Sequence, residues 1–362
     1  MASTNTFLQH TNWVLNAINE PVLTSSNFSS AVGIQLEAQN AVNSTIRDII
    51  DGELEWPFNR TTYSETLTPG TQIYTLQTFR SVDWDSFYVR PIDEITNGAF
   101  TSNINNWTDK SAGTGSIAYT STGNGRMRLT GDGTNGGSAE QAITTVANRA
   151  YKLQFRHLTN DVTVKIGTTS AGTEISSTII TLDNAGEGEI QDIDFTASGT
   201  STYIGFANTS TTVCDIDYVK VKENRSPQHL VNTSFDEWRR LYRDNDETLS
   251  ATFMGYPNKV FRTQNDEYGL SRVPLQANWE VTYDYWTSPS DLSVHSSTTV
   301  IDDRWSWLIV EGAKRYVYET LSDPAFHDRA VQKFNAGLKR MRIELINKED
   351  VMNPHINYSA WI

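Results

Sequence analysis

Cysteine is almost missing from this chain. Cys214 stands alone among 362 residues, which excludes an internal disulfide framework and a multi-cysteine zinc site. It sits in the alternating run Val213-Cys214-Asp215-Ile216-Asp217-Tyr218-Val219 and reads as a quiet strand residue. Positive charge is scarce as well: 29 Lys and Arg against 43 Asp and Glu leave a net charge of −14. A protein that grips duplex DNA along its surface needs a basic stripe to neutralise phosphates, so general DNA binding is the minority reading. No apolar run approaches the roughly 18 residues of a membrane span. The start, Met1 to Phe7, lacks a basic stretch followed by an apolar one, so no leader is expected and synthesis is assigned to a cytoplasm. The histidines, His10, His157, His229, His295, His327 and His355, are scattered; no zinc-protease helix, nucleophile elbow, phosphate loop or nucleotide fingerprint occurs. No enzyme activity and no cofactor are expected.

What is present is aromatic. Phe, Trp and Tyr make up 11% of the chain, ten of them Trp, a composition opposed to disorder, and the length suits two or three domains. Residues 1–93 begin with a helix from Phe7 to Asn19, in which Leu8, Leu15 and Ile18 surround Trp13. A second helix is expected to start in the cap-rich run Ser25 to Ser30 and to stop at Gly52, with Phe28, Val32, Leu36, Val42, Ile46, Ile49 and Ile50 on one face. Strands follow at Gln72–Leu76 and Ser86–Arg90. From 94 to 226 the texture changes to Gly- and Thr-rich turns between short alternating runs, such as Tyr151-Lys152-Leu153-Gln154-Phe155 and Val162-Thr163-Val164-Lys165-Ile166, which predict an all-β sandwich. Residues 227–350 return to mixed structure. They hold a short helix at Phe235, strands at Lys259–Arg262 and Trp279–Trp286, and a helical hairpin whose turn, Ser322-Asp323-Pro324, combines a cap with a proline at the first helical position. The fold class expected is α+β, one domain built from both ends and interrupted by the sandwich. Residues 351–362 lose all period and read as an extended tail.

The chemistry-bearing candidates are paired acids. Asp215/Asp217 and Asp192/Asp194 each share a strand face and could hold a calcium ion or form half of a glycosidase pair; polar outward faces of a sandwich are the simpler account of both. The hairpin from Arg304 to Leu345 is locally basic, with Arg304, Lys314, Arg315, Arg329, Lys333, Lys339, Arg340 and Arg342 against five acids. Solvated helix faces of mixed charge account for most such runs.

The order of elements carries a resemblance. The N-terminal helix pair, Trp56-Pro57-Phe58-Asn59, the strand at Ile73, then Phe235-Asp236-Glu237-Trp238-Arg239, Tyr256-Pro257, Phe261-Arg262 and the hairpin resemble the head-to-tail adaptor of short-tailed phages (podoviruses), the tail tubular protein A family, over roughly 4–92 and 227–350. That resemblance implies a helical-bundle adaptor core with a small β-sheet, and a ring of copies, usually twelve, under the portal. It also implies a channel for the ejected genome and a platform for the tail nozzle and fibre proteins. The tail would dock into the portal through Met352, Pro354, Tyr358, Trp361 and Ile362. The middle is similar to carbohydrate-binding jelly-roll modules, on Asn97-Gly98-Ala99-Phe100, Asn106-Trp107 and the closing Cys214 to Val219. That similarity implies Phe100 and Trp107 in the core, and a structural calcium to which Asn97, Asp215 or Asp217 could supply ligands. For surface glycans it leaves Tyr119, Tyr151 and Tyr203 as the sugar-stacking candidates. An acidic channel wall would let DNA pass without adhering.

Overall fold

In the computed structural model of the chain, residues 3–53, 55–182, 188–241, 254–263, 265–288 and 290–346 are described. The portal-docking candidates Met352, Pro354, Tyr358, Trp361 and Ile362, and with them the whole 351–362 tail, lie outside the described residues. The contacts separate two units: one from residues within 1–63, 75–86 and 283–362, the other from 64–74 and 87–282. Five helices are described: α1 (Phe7–Ala17), α2 (Ile34–Asp51), α3 (Phe235–Leu241), α4 (Ser306–Thr320) and α5 (Pro324–Leu345).

In the first unit α1, α2, α4 and α5 share one apolar core, which includes Val14, Leu15, Val42, Ile46, Ile49, Leu308, Ile309, Val317, Phe334 and Met341. A capping box starts α1: the Thr6 side chain accepts from the Gln9 amide, and the Gln9 side chain accepts from the Thr6 amide. Asp323 caps α5 by accepting from the Phe326 amide at 3.3 Å, with Pro324 in the first turn. The start of α2 departs from the sequence reading. Phe28–Ser30 is a separate 3-10 turn, and Gly33, at φ +57°, lets the chain enter the helix only at Ile34. Val32 and Leu36 are consequently exposed, and Ala38 and Ala41 occupy the core face that they were expected to fill. The basic hairpin is largely paired. Arg315 meets Asp48 at 2.7 Å, Lys314 and Lys333 both reach Glu311, and Arg342 donates to the Gly52 carbonyl. Asp303 accepts from the Thr4 and Asn5 amides and from the Ser3 and Thr4 hydroxyls, so the chain's first described residues are tied to the start of α4.

The second unit holds the sandwich. One five-stranded sheet has the order Ser176–Ile180, Val162–Gly167, Ser201–Asn208, Gly137–Thr144, Thr108–Asp109. The other has the order Glu189–Thr196, Ala150–His157, Cys214–Glu223, Arg126–Thr130, Ser116–Thr120. Alternation explains the core: Tyr151, Leu153 and Phe155 point in with Val162, Val164, Ile166, Ile204 and Phe206, and Phe100 and Trp107 join them. No helix is described between 97 and 222. Beside the sandwich, Val231–Thr233, Lys259–Arg262, Glu267–Leu270 and Ile73–Thr75 form a four-stranded sheet, and Trp279–Thr282 pairs with Tyr88–Pro91.

Helix packing in the first unit is close enough to test. A Cβ on Gly312 of α4 would fall 2.2 Å from Thr45 Cγ2 of α2 and 2.8 Å from the Phe334 ring of α5. Helix propensity alone favours Gly312→Ala by about 1 kcal/mol, but overpacking costs about 1–3 kcal/mol. Gly312→Ala is therefore expected to lower the urea midpoint; a raised midpoint would show that the three helices have room to separate.

Candidate functional site

The strand Cys214–Glu223 carries the polar features of the sandwich. Cys214 and Ile216 point into the core, and the Cys214 thiol is pushed up to about 12 by burial and by Asp215. Asp215 and Asp217 point the other way yet are almost fully buried, because arginines cover them. Arg128 clamps Asp215 with two parallel bonds, Nε to Oδ1 at 2.7 Å and Nη2 to Oδ2 at 2.8 Å. Arg156 donates to Asp217 Oδ2 at 2.8 Å, and the Tyr218 amide donates to its Oδ1 at 2.7 Å.

This arrangement does not fit the calcium expected from Asn97, Asp215 and Asp217. The carboxylate oxygens that a cation would need are engaged by guanidinium groups and, at Asp217 Oδ1, by the Tyr218 amide. The Asn97 amide nitrogen donates to the Asn103 and Asn105 carbonyls at 3.0 Å, which makes it a clasp of its own loop. Among the described residues no three His, Cys, Asp or Glu side chains could hold a metal ion. The sugar-stacking candidates are not brought together. Tyr151 is fully buried and stacked on Phe195, so its ring offers no face to a ligand. Tyr119 and Tyr203 are half-buried and lie on different sheets.

A β-bulge creates the site that the sequence did not disclose. The register of Cys214–Glu223 against Ala150–His157 shifts between Asp217 and Lys220, where Tyr218 has φ +59°. The extra residue returns Val219 and Val221 to the core and sets Lys220 opposite Gln154 and Lys222 opposite Lys152, on the outer face. Gly98 permits this, since a Cβ there would lie 1.9 Å from the Val219 carbonyl oxygen, and its own carbonyl accepts from the Val219 amide.

One pocket is lined by that strand and a second adjoins it just past the strand's end, at Arg225. Lys152, Lys220, Lys222 and Arg225 line one of about 390 Å³, with Glu223 in its wall. Arg149, Arg225 and Arg272 line the next, about 400 Å³, with Gln228 and Asn258. Glu223 is buried and anchors both: its carboxylate accepts from Trp279 Nε1 at 2.7 Å and lies 3.6 Å from Arg149 and 3.5 Å from Arg225. The Arg225 guanidinium sits 4.6 Å from the Tyr256 ring centroid and 5.8 Å from that of Trp279. The only local sequence sign is the Lys220-Val221-Lys222 alternation; Arg149 and Arg272 come from distant turns. A third pocket, about 350 Å³, is lined by Glu94, Gln276 and Asn278. Burial, then the nearby Asp93 and Glu223 charges, push the Glu94 carboxyl up to about 7, and its Oε1 has no hydrogen-bond partner.

Fold and site together define a β-sandwich protein with a separate helical unit and basic surface pockets. Residues 141–357, more than half of the chain, match the family described as SU10 adaptor protein, and the chain belongs to that family. As a phage adaptor it is a component of the virion. No curated protein matches it. Solved structures similar to part of it include the enzymatically active domain of bacteriophage CBA120 tailspike protein 4, at 16% identity and TM-score 0.31 over 36% of this chain and 21% of that one. A putative sugar binding protein from Bacteroides thetaiotaomicron is similar at 14% identity and TM-score 0.32, over 37% of this chain and all of its own. The N-terminal cellulose-binding domain of Cellulomonas fimi β-1,4-glucanase C is similar at 16% identity and TM-score 0.30, over 37% of this chain and 99% of its own.

Arg128→Ala would leave Asp215 buried with its main partner gone; because Arg128 is 37% exposed, the expected cost is about 1–3 kcal/mol. Added calcium is expected to leave the unfolding midpoint of the native protein unchanged, and a calcium-dependent rise would restore the ligand role of Asp215 and Asp217. For Glu94, the folded carboxyl holds its proton to higher pH than the unfolded one, so stability is full below about pH 4.5 and falls as pH rises to about 7. Glu94→Gln should flatten that slope and stabilise the protein at pH 8 by about 1–3 kcal/mol, as read by denaturation at several pH values.

Proposed function

We propose that the protein is the head-to-tail adaptor of a short-tailed phage: copies assemble into a ring, twelve by the resemblance, beneath the portal and extend the DNA channel. The observation that carries this reading is the family match, which runs from the middle of the sandwich through α4 and α5. The common core of α1, α2, α4 and α5 supports it as the element that would build the ring. The helical unit would form the ring-building part of the adaptor core and 94–226 an outward sandwich that meets nozzle or fibre proteins, while the 351–362 tail enters the portal. Residues 87–282 belong to one compact unit, so the segment 227–282 goes with the sandwich and not, as the sequence order implied, with the helices. The net charge of −14 suits a wall past which DNA moves without sequence-specific binding. The paired cations of the hairpin suit packing more than a DNA clamp. Assembly would take place in the host cytoplasm.

A second reading, glycan binding by the sandwich together with the segment 228–279 beside it, is favoured by the two adjoining basic pockets. The adaptor reading is tested by sedimenting the purified chain with portal rings. Full-length protein should co-sediment, and protein ending at Asp350 should stay folded but lose at least about tenfold in affinity, as expected when buried anchor residues are removed. A chain that remains monomeric and never joins portal rings would end this reading.

A further inference from the structure

We propose that the two pockets joined at Arg225 bind consecutive anionic residues of an acidic polysaccharide, one carboxylate seated on Arg149, Arg225 and Arg272 and the next on Lys152, Lys220 and Lys222. The proposal rests on the glycan-binding reading of the sandwich and specifies its substrate class.

Charge carries the argument first. In a chain with 14 more acids than bases, six Lys and Arg side chains line two adjoining pockets, and among the described residues Glu223 is the one carboxylate in their linings. Asp192 and Asp194 reach Lys152 from the neighbouring strand at 3.5 and 3.9 Å and leave Lys220 and Lys222 as the main cations of that seat. The Glu223 carboxylate is already held by Trp279 Nε1, so it orders the arginines without filling their donors. The bidentate geometry of guanidinium suits a planar carboxylate. Order comes next: Arg225 is stacked against Tyr256 and Trp279, so little side-chain entropy is left to lose on binding. Size and polarity complete the case. Pockets of about 400 and 390 Å³ fall in the small-ligand range. Gln228 and Asn258 line one and offer amide groups to ring hydroxyls. Gln154 and Asn224 line the other, where their amide nitrogens donate to Asp192 and Asp194 and their carbonyl oxygens can accept from ring hydroxyls. A single-stranded nucleic acid would need exposed rings on which bases stack, and the aromatic rings that line these pockets, Tyr256 and Trp279, are buried.

Titration calorimetry on the full chain tests this, with oligogalacturonate, oligosialate, methyl-esterified oligogalacturonate, sodium sulfate and a single-stranded DNA oligonucleotide as probes. At least one acidic oligosaccharide should bind, the esterified form should not, and Arg272→Gln and Lys222→Gln should each weaken binding about tenfold. Arg272 is exposed, so its replacement tests the site without testing the fold. Equal binding of the esterified form would overturn the acidic specificity and leave the glycan reading standing. Binding of sulfate without either oligosaccharide, or DNA binding as tight as the saccharide, would overturn the proposal. If no oligosaccharide binds, the glycan reading falls with it, while the adaptor reading, tested on portal rings, is unaffected.

Discussion

The bulge at Tyr218 and Val219 governs the sandwich. Side chains alternate along a strand, so an uninterrupted Cys214–Glu223 would send Tyr218 and Lys220 into the core after Ile216 and turn Val219 and Val221 outward. One extra residue, at φ +59°, reverses that outcome. It keeps the apolar pair among Phe155, Leu153 and Met127 and raises two lysines on the outer face. The approach of Gly98 to the Val219 carbonyl shows why the motif Asn97-Gly98 faces this strand: any side chain at 98 would collide with the bulged backbone. The same shift delivers Glu223 to the buried position where Trp279, Arg149 and Arg225 gather around it.

Electrostatics then divides the strand into two halves of opposite character. Before the bulge, Asp215 and Asp217 are acids sealed under Arg128 and Arg156, and burial is tolerated because each charge is paired and hydrogen-bonded. After it, Lys220 and Lys222 face an open pocket with cations in excess. An acidic protein with locally basic pockets has the means to discriminate between an anionic ligand and a neutral one.

In the helical unit the limiting factor is distance. Gly312 lets α4 come close to both α2 and α5, and Arg315 lies flat on Phe334 at 3.8 Å while its guanidinium reaches Asp48. Asp303 adds a polar clasp, with four donors from residues 3–5 converging on one carboxylate, whose pKa these hydrogen bonds depress well below the usual range.

Much of this was legible beforehand where a pattern is local. The periodicity of Leu308, Ile309 and Val317, the cap at Asp323-Pro324, and the alternation of Trp279–Trp286 and of Tyr151–Phe155 all follow from short-range rules that the side chains obey by themselves, whereas the core positions of Phe100 and Trp107 were implied by the resemblance to jelly-roll modules. The second helix was misread at its start because Phe28, Val32 and Leu36 continue the helical spacing, whereas a left-handed Gly33 breaks it. The calcium set and the Tyr151 stacking face failed for a different reason: type and spacing say which face a side chain takes, but not whether an arginine from another strand already covers it. Sequence alone determined the strand and helix content, the acidic balance and the adaptor resemblance. Only the tertiary structure decided which acids are paired, where the register slips and which six cations meet, because those depend on residues brought together from turns some 120 positions apart, such as Arg149 and Arg272.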